Sequence, residues 1–159
     1  PTQAMKQVKS ILGGYLVQSR DTGIVTAETL QIVTKLQPSQ SEINDMLFAW
    51  KVAKHVKSNA IILTNNSSTI GIGAGQPSRL DSCKIATQKA IQFQPGKLKN
   101  SIAASDAFFP FADGIKILIK AGVKIIVQPG GSIRDQEVIN EANKAKIKMV
   151  FTNIRHFNH

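Results

Sequence analysis

Between Lys57 and Arg79 the chain reads K-S-N-A-I-I-L-T-N-N-S-S-T-I-G-I-G-A-G-Q-P-S-R, and this stretch constrains the fold more than any other. Asn59 to Thr64 is a short apolar run, Asn65-Asn66-Ser67-Ser68 is turn chemistry, and Thr69 to Ile72 is a second β-branched run. Two such runs around a polar turn predict a β-hairpin. Gly71, Gly73 and Gly75 recur at every second position, which leaves one face of the second strand without side chains. Something must approach that backbone closely, either a ligand or another element of the fold. Pro77, with its fixed φ, suits the first turn of a helix. Ser78, Arg79 and Asp81 then fall at a helix N-terminus, where unpaired N–H groups attract anions.

A chain of 159 residues with 42% hydrophobic content suffices for one domain with a real core. It contains no run of about 18 apolar residues, so no transmembrane helix is expected. Residues 1–10 lack the apolar core of a signal peptide. A first residue of Pro rather than Met suggests a piece of a longer chain. The lone cysteine, Cys83, forbids an internal disulfide and suits a reducing cytoplasm. The net charge of +10 favours an anionic partner. Its lysines are scattered, however, and few of the aromatics interleave with them as a base-stacking platform requires. The charge is therefore read as solubility plus small anionic ligands, with neither nucleic acid nor a membrane as partner.

Gly13-Gly14 precede a strand candidate at Tyr15-Leu16-Val17, and Arg20-Asp21-Thr22-Gly23 reads as a turn. Thr26 to Lys35 is ambiguous between helix and strand. Ser39 and Glu42 form a capping-box pattern, followed by Ile43, Met46, Leu47, Trp50, Ala53 and Val56 at helical spacing. That helix carries Lys54-His55 near its C-terminus, where the dipole favours such residues; a Lys–His pair is also able to do acid–base work. Leu80, Cys83, Ile85, Ala86 and Ala90 predict a helix ending before Pro95-Gly96, and residues 102–105 a strand. Phe108, Phe109 and Phe111 in a proline-broken loop are either core plugs or a pocket wall. Helices over 114–121 and 134–146 alternate with strands at 123–127 and 148–151, leaving the tail T-N-I-R-H-F-N-H.

From residue 59 the order is hairpin, α, β, α, β, α, β, which demands a largely parallel sheet with helices on both faces. The hairpin is expected to add one antiparallel strand at an edge. Ligands of such sheets gather at the carboxyl ends of the strands. Those ends are residues 73–79, 105–113, 128–132 and 152–155, so four polar loops are predicted to converge on one rim. Sheets of this order include the cytidine-deaminase-like folds. Zinc-dependent deamination needs H-x-E and P-C-x-x-C. With one cysteine, and histidines only at His55, His156 and His159, the chain has neither motif and no metal site is expected. Cys83 as a nucleophile is disfavoured because it falls on the apolar side of its helix.

The runs L-F-A-W-K-V (47–52), K-S-N-A (57–60), I-G-I-G-A-G-Q-P-S-R (70–79), A-S-D-A-F-F-P-F-A-D-G (104–114), Q-P-G-G-S-I-R-D (128–135) and T-N-I-R-H-F-N-H (152–159) together resemble the AICAR transformylase domain of bifunctional purine biosynthesis proteins, whose other half is IMP cyclohydrolase. The resemblance covers nearly the whole chain, and its motifs follow the family's order through to an ending like the family's C-terminus. It implies a three-layer, cytidine-deaminase-like α/β fold with a mostly parallel mixed sheet. Residues 1–57 would be a lead-in with a helix near 39–57, and 58–159 the second of two deaminase-like halves. The implied reaction moves a formyl group from 10-formyltetrahydrofolate to the amine of the AICAR nucleotide, in a cytoplasmic homodimer with composite sites. The family's catalytic Lys–His pair lies in the first half, which this chain lacks, and Lys54-His55 belongs to a different motif.

Carried over by motif, Asn59 is an auxiliary catalytic group. Arg79, Phe108 and Arg155 meet the nucleotide, and Leu80, Asp113, Ser132 and Ile133 lie on the folate side. Pro77 and Ala112 depart from the longer side chains expected there. Two other classes stay open: a binding or dimerisation module without turnover, which addition of the missing half would distinguish, and a nucleic-acid binder, whose affinity would fall steeply with salt.

Overall fold

The computed structural model describes residues 6–159. A two-stranded hairpin, β1 (Lys6–Ile11) and β2 (Gly14–Ser19), stands apart from a six-stranded mixed sheet. That sheet comprises β3 (Gln31–Ile32), β4 (Ile61–Asn65), β5 (Ser68–Gly73), β6 (Ile102–Ser105), β7 (Ile125–Gln128) and β8 (Lys148–Phe151), in the order β3-β8-β7-β6-β4-β5. Helix α1 (Gln40–His55) covers one face; α2 (Arg79–Phe93), α3 (Asp113–Ala121) and α4 (Asp135–Lys144) cover the other. This is a three-layer α/β fold.

Period-two alternation divides the sheet between two cores. Ile61, Leu63, Ala103, Ile126 and Met149 point to Cys83, Ala86, Ile115, Leu118 and Val138 of the three-helix layer. Ala60, Ile62, Ile102, Ala104, Val127 and Val150 point to Met46, Ala49, Trp50 and Ala53 of α1. Strands buried on both faces read as near-continuous apolar runs, which is why residues 61–64 and 125–128 carry so little polarity. The predicted capping box is present: Glu42 donates its N–H to Ser39 Oγ at 3.3 Å, and Ser39 N–H donates to Glu42 Oε2 at 2.6 Å.

Four departures from the sequence reading matter for the site. The pairs β6-β7 and β7-β8 are parallel, but β4 is antiparallel to both β5 and β6. The antiparallel strand of the central hairpin therefore lies inside the sheet, not at its edge. Strand β5 takes the edge, with α2 pressed onto its glycine face. Residues 26–35 resolve into a 3-10 turn at Ala27–Thr29 and the short strand β3, which pairs with β8. The lead-in segment thus joins the main sheet through β3 and covers it with α1. Pro77 stands before the N-cap Ser78 rather than in the first turn of α2. Finally, a first strand at 6–11, unforeseen in the sequence, pairs with the expected one after Gly13-Gly14.

The glycine stripe is answered by packing. A Cβ on Gly73 would lie 1.9 Å from the carbonyl oxygen of Ser82, and one on Gly71 would lie 2.2 Å from that of Ala86. Ser82, Ala86 and Ala90, four residues apart and all buried, form a matching stripe of small side chains on α2. The obstacle is helix backbone, which cannot rotate away. Gly73→Ala is expected to lower stability by about 3 kcal/mol, the upper part of the range for overpacked cores. Urea denaturation measures it as a fall in midpoint at unchanged slope; a loss below about 1 kcal/mol would contradict such close packing.

Candidate functional site

Strands β5 to β8 run in one direction, so their carboxyl ends share a rim. Because β4 runs the opposite way, its beginning lies at that same rim and brings Asn59 with it. A cavity of about 590 Å³ opens there, within the usual range for small-molecule sites. Its walls include Asn59, Arg79, Leu80, Phe108, Asp113 and Arg155, which come from four separate stretches of chain. A smaller recess of about 260 Å³ shares Phe108 and Arg155 and is bordered by Pro129, Gly130, Gly131 and Asn153. All four rim loops thus meet across the two recesses.

Arg79 is the electrostatic centre of the cavity. It is buried, and its Nη1 donates to Ser105 Oγ at 2.8 Å and to the buried carboxylate of Asp106. Its Nη2 donates to Asn59 Oδ1 at 2.8 Å. A guanidinium carries five N–H donors, and these three bonds leave two for the cavity. Asn59 is held as firmly: its Nδ2 donates to the carbonyls of Gln76 at 2.9 Å and Pro77 at 3.0 Å. Both amide hydrogens are thereby used. What Asn59 retains toward the cavity is acceptor capacity on Oδ1, so it suits an N–H donor rather than a carbonyl. Ser82 donates its hydroxyl to the Asn59 carbonyl at 2.8 Å, tying α2 to the same point.

Arg155 differs from Arg79. It is exposed at the cavity mouth, stacks on the Phe157 ring at 4.8 Å, and among the described residues makes no ion pair with an acidic side chain. Phe109 is a core plug, whereas Phe108 is half-buried and lines both recesses, so the aromatic loop serves both of its possible roles. Leu80 and Asp113 also line the main cavity. Ser132 and Ile133 do not border either recess: Ser132 Oγ accepts from Arg134 N–H at 3.1 Å, and the Ile133 side chain is fully exposed. Their loop is linked to the main cavity by Arg134, whose guanidinium lies 4.6 Å from the centre of the Phe111 ring.

Cys83 is fully buried against the sheet, and burial pushes its thiol up to about 12, so it is no thiolate nucleophile. Lys54 donates to the carbonyl of Gly23 at 2.8 Å and lies 3.6 Å from Asp21, while the exposed His55 borders a different recess. The tail held a surprise. His156, in the terminal tail, is buried; its Nδ1 bonds Asp21 and its ring lies against Trp50. No local signal marks it, since its partners come from positions far earlier in the chain. Among the described residues no cluster of His, Cys, Asp and Glu forms a metal site, and no helix is long and apolar enough to cross a membrane.

Residues 1–89 match the family described as AICARFT/IMPCHase bienzyme. The chain is similar to three proteins each named bifunctional purine biosynthesis protein PurH. It is 53% identical to that of Roseobacter denitrificans over 165 residues, covering 100% of this chain and 31% of the relative. The protein of Bartonella bacilliformis is 55% identical over 158 residues, covering 96% and 29%. That of Aquifex aeolicus is 53% identical over 152 residues, covering 96% and 29%. The chain therefore spans about 30% of the length of these relatives.

Proposed function

The chain belongs to the AICARFT/IMPCHase bienzyme family, and from that premise we propose that it supplies the nucleotide- and folate-binding wall of an AICAR transformylase. The reaction would transfer the formyl group of 10-formyltetrahydrofolate to the amine of the AICAR nucleotide in purine biosynthesis. The observation that carries this reading is the convergence of Asn59, Arg79, Phe108 and Arg155 on one cavity.

The chemistry of the cavity suits the two substrates. Arg155, with its donor fork turned to solvent, is a receptor for a phosphate or carboxamide oxygen. Arg79 offers two further N–H groups from a fixed position, and Phe108 provides a flat apolar surface for a heterocycle. The open acceptor on Asn59 is placed to take an N–H of the attacking amine, which is a poor nucleophile and gains from being oriented. A carboxylate such as Asp113 pairs with the N–H donors of a pterin, with Leu80 beside it. Ser132 and Ile133, which border neither recess, would reach the folate only through movement of the loop before α4.

The remainder of the polypeptide is the proposed partner, followed by a second copy of the complete enzyme in a cytoplasmic dimer. Support comes from the β1–β2 hairpin, which exposes Val8, Ile11, Tyr15, Leu16 and Val17. A two-stranded hairpin is marginal in water unless it rests on another surface. The cytidine-deaminase-like label for the fold rests on the same resemblance.

Arg155→Leu in the complete enzyme is expected to weaken AICAR nucleotide binding by about 1.5–3 kcal/mol, the range for a charged hydrogen bond. Isothermal titration calorimetry reads this directly, and unchanged affinity would remove Arg155 from the nucleotide site.

A further inference from the structure

The last residues of the chain are extended, and their side chains alternate. Ile154, His156 and Asn158 turn inward, whereas Arg155 and Phe157 are exposed and line the main cavity. Alternation of this kind has period two, so a slip of one residue would bury Arg155 and expel His156. Three ties prevent the slip. The His156 N–H donates to the carbonyl of Asp106 at 2.9 Å, next to the carboxylate that holds Arg79. Ser58 and Asn158 exchange two bonds: Ser58 N–H to the Asn158 carbonyl at 2.9 Å, and Asn158 N–H to Ser58 Oγ at 3.1 Å. The third tie joins the His156 ring to Asp21, with the ring centroid 4.7 Å from that of Trp50.

We propose that Asp21 and His156 are positioning residues whose bond sets the register of the C-terminal segment and thereby aims Arg155 and Phe157 into the cavity. Neither residue touches the cavity itself. Asp21 is suited to the task because Lys54 and the Gly23 N–H hold the other side of its carboxylate. Partial burial acts to raise its pKa, but the bonds from His156 and Gly23 and the charges of His156 and Lys54 outweigh it, so the group stays below the usual carboxylate range. The loop that carries Asp21 follows directly on β2. Whatever grips the hairpin is therefore connected through one side-chain hydrogen bond to the arginine at the cavity mouth.

The test has two arms. In the first, without ligand, amide hydrogen exchange is measured on the 159-residue chain. Asp21→Ala is expected to speed exchange at His156 and Asn158 by about tenfold or more while amides in β7 and β8 stay within about twofold. Asp21→Asn, whose amide oxygen still accepts from the imidazole, restores slow exchange. In the second arm, which rests on the transformylase reading, the chain is joined to the remainder of a full-length relative. There Asp21→Ala should raise the KM for the AICAR nucleotide about tenfold with kcat within about twofold, and Asp21→Asn should rescue it. Because Asp21 acts through Arg155 and Phe157, adding Asp21→Ala to Arg155→Leu should cost clearly less than the sum of the two single effects, whereas general destabilisation would add in full. Unchanged exchange at His156, failure of the Asn variant to rescue, or additive effects in the double variant would each overturn the proposal. Absence of turnover in the joined wild-type enzyme would instead overturn the transformylase reading and leave the exchange arm to decide on the register.

Discussion

The 159-residue chain alone is expected to show no formyl transfer above background, and addition of the missing part of the polypeptide is expected to bring the activity into view. Attack by a poorly nucleophilic amine requires a proton acceptor as well as a positioned formyl carbon. General acid–base assistance is worth about 10²–10⁴-fold on its own, and positioning adds more. None of the three histidines lines the main cavity. His156 is buried in its bond to Asp21, His55 borders another recess, and His159 is exposed at the end of the tail. Asn59 has no basic site, since an amide does not accept a proton at neutral pH. Turnover is measured with AICAR nucleotide and 10-formyltetrahydrofolate, with and without the remainder of the enzyme. Turnover by the purified chain that survives His55→Ala would sink both the incomplete-site argument and the auxiliary role of Asn59.

Replacement of Arg79 is expected to damage the fold as well as the site. Its partner Asp106 is fully buried, and one carboxylate oxygen of Asp106 already lacks a hydrogen-bond partner. Removing the guanidinium strands a buried charge, for which losses of about 3–5 kcal/mol are usual. Arg79→Leu should lower the denaturation midpoint accordingly, whereas the double variant Arg79→Leu/Asp106→Leu should recover much of the loss, because the uncompensated charge has gone. A cycle in which the two changes simply add would show that the pair is not a coupled unit. Binding should not recover in the double variant, since Asn59 loses the donor that orients its amide. Stability and binding thus separate within one pair of residues.

Most of the secondary structure was legible because its causes are local. The capping box at Ser39 and Glu42, the helical spacing along α1, and the polar turn between two β-branched runs each act within a few residues. Alternation of helices and strands after residue 59 then implied a layered sheet and a shared rim, and the rim loops meet there across two recesses. Boundaries were less exact: β4 begins at Ile61 rather than Asn59, and β7 at Ile125 rather than Val123. Those shifts of two residues fall where backbone pairing, not side-chain pattern, decides the end of a strand.

Sequence by itself determined the fold class and the family, since these follow from local pattern and from motifs in order; of the residues carried over by motif, Asn59, Arg79, Leu80, Phe108, Asp113 and Arg155 border the cavity, whereas Ser132 and Ile133 do not. Only the tertiary structure decided how those residues are held. The glycine stripe was compatible with a ligand or a helix until the backbone of α2 was found in its path. The antiparallel direction of β4 between β5 and β6 places Asn59 at the rim, and that placement depends on strand pairing with residues far along the chain. Arg79 met Asp106, and His156 met Asp21, across separations of 27 and 135 positions. A partner so distant leaves no periodic trace near the residue it binds: a charge or a ring in a polar stretch reads as solvated until folding removes the water around it.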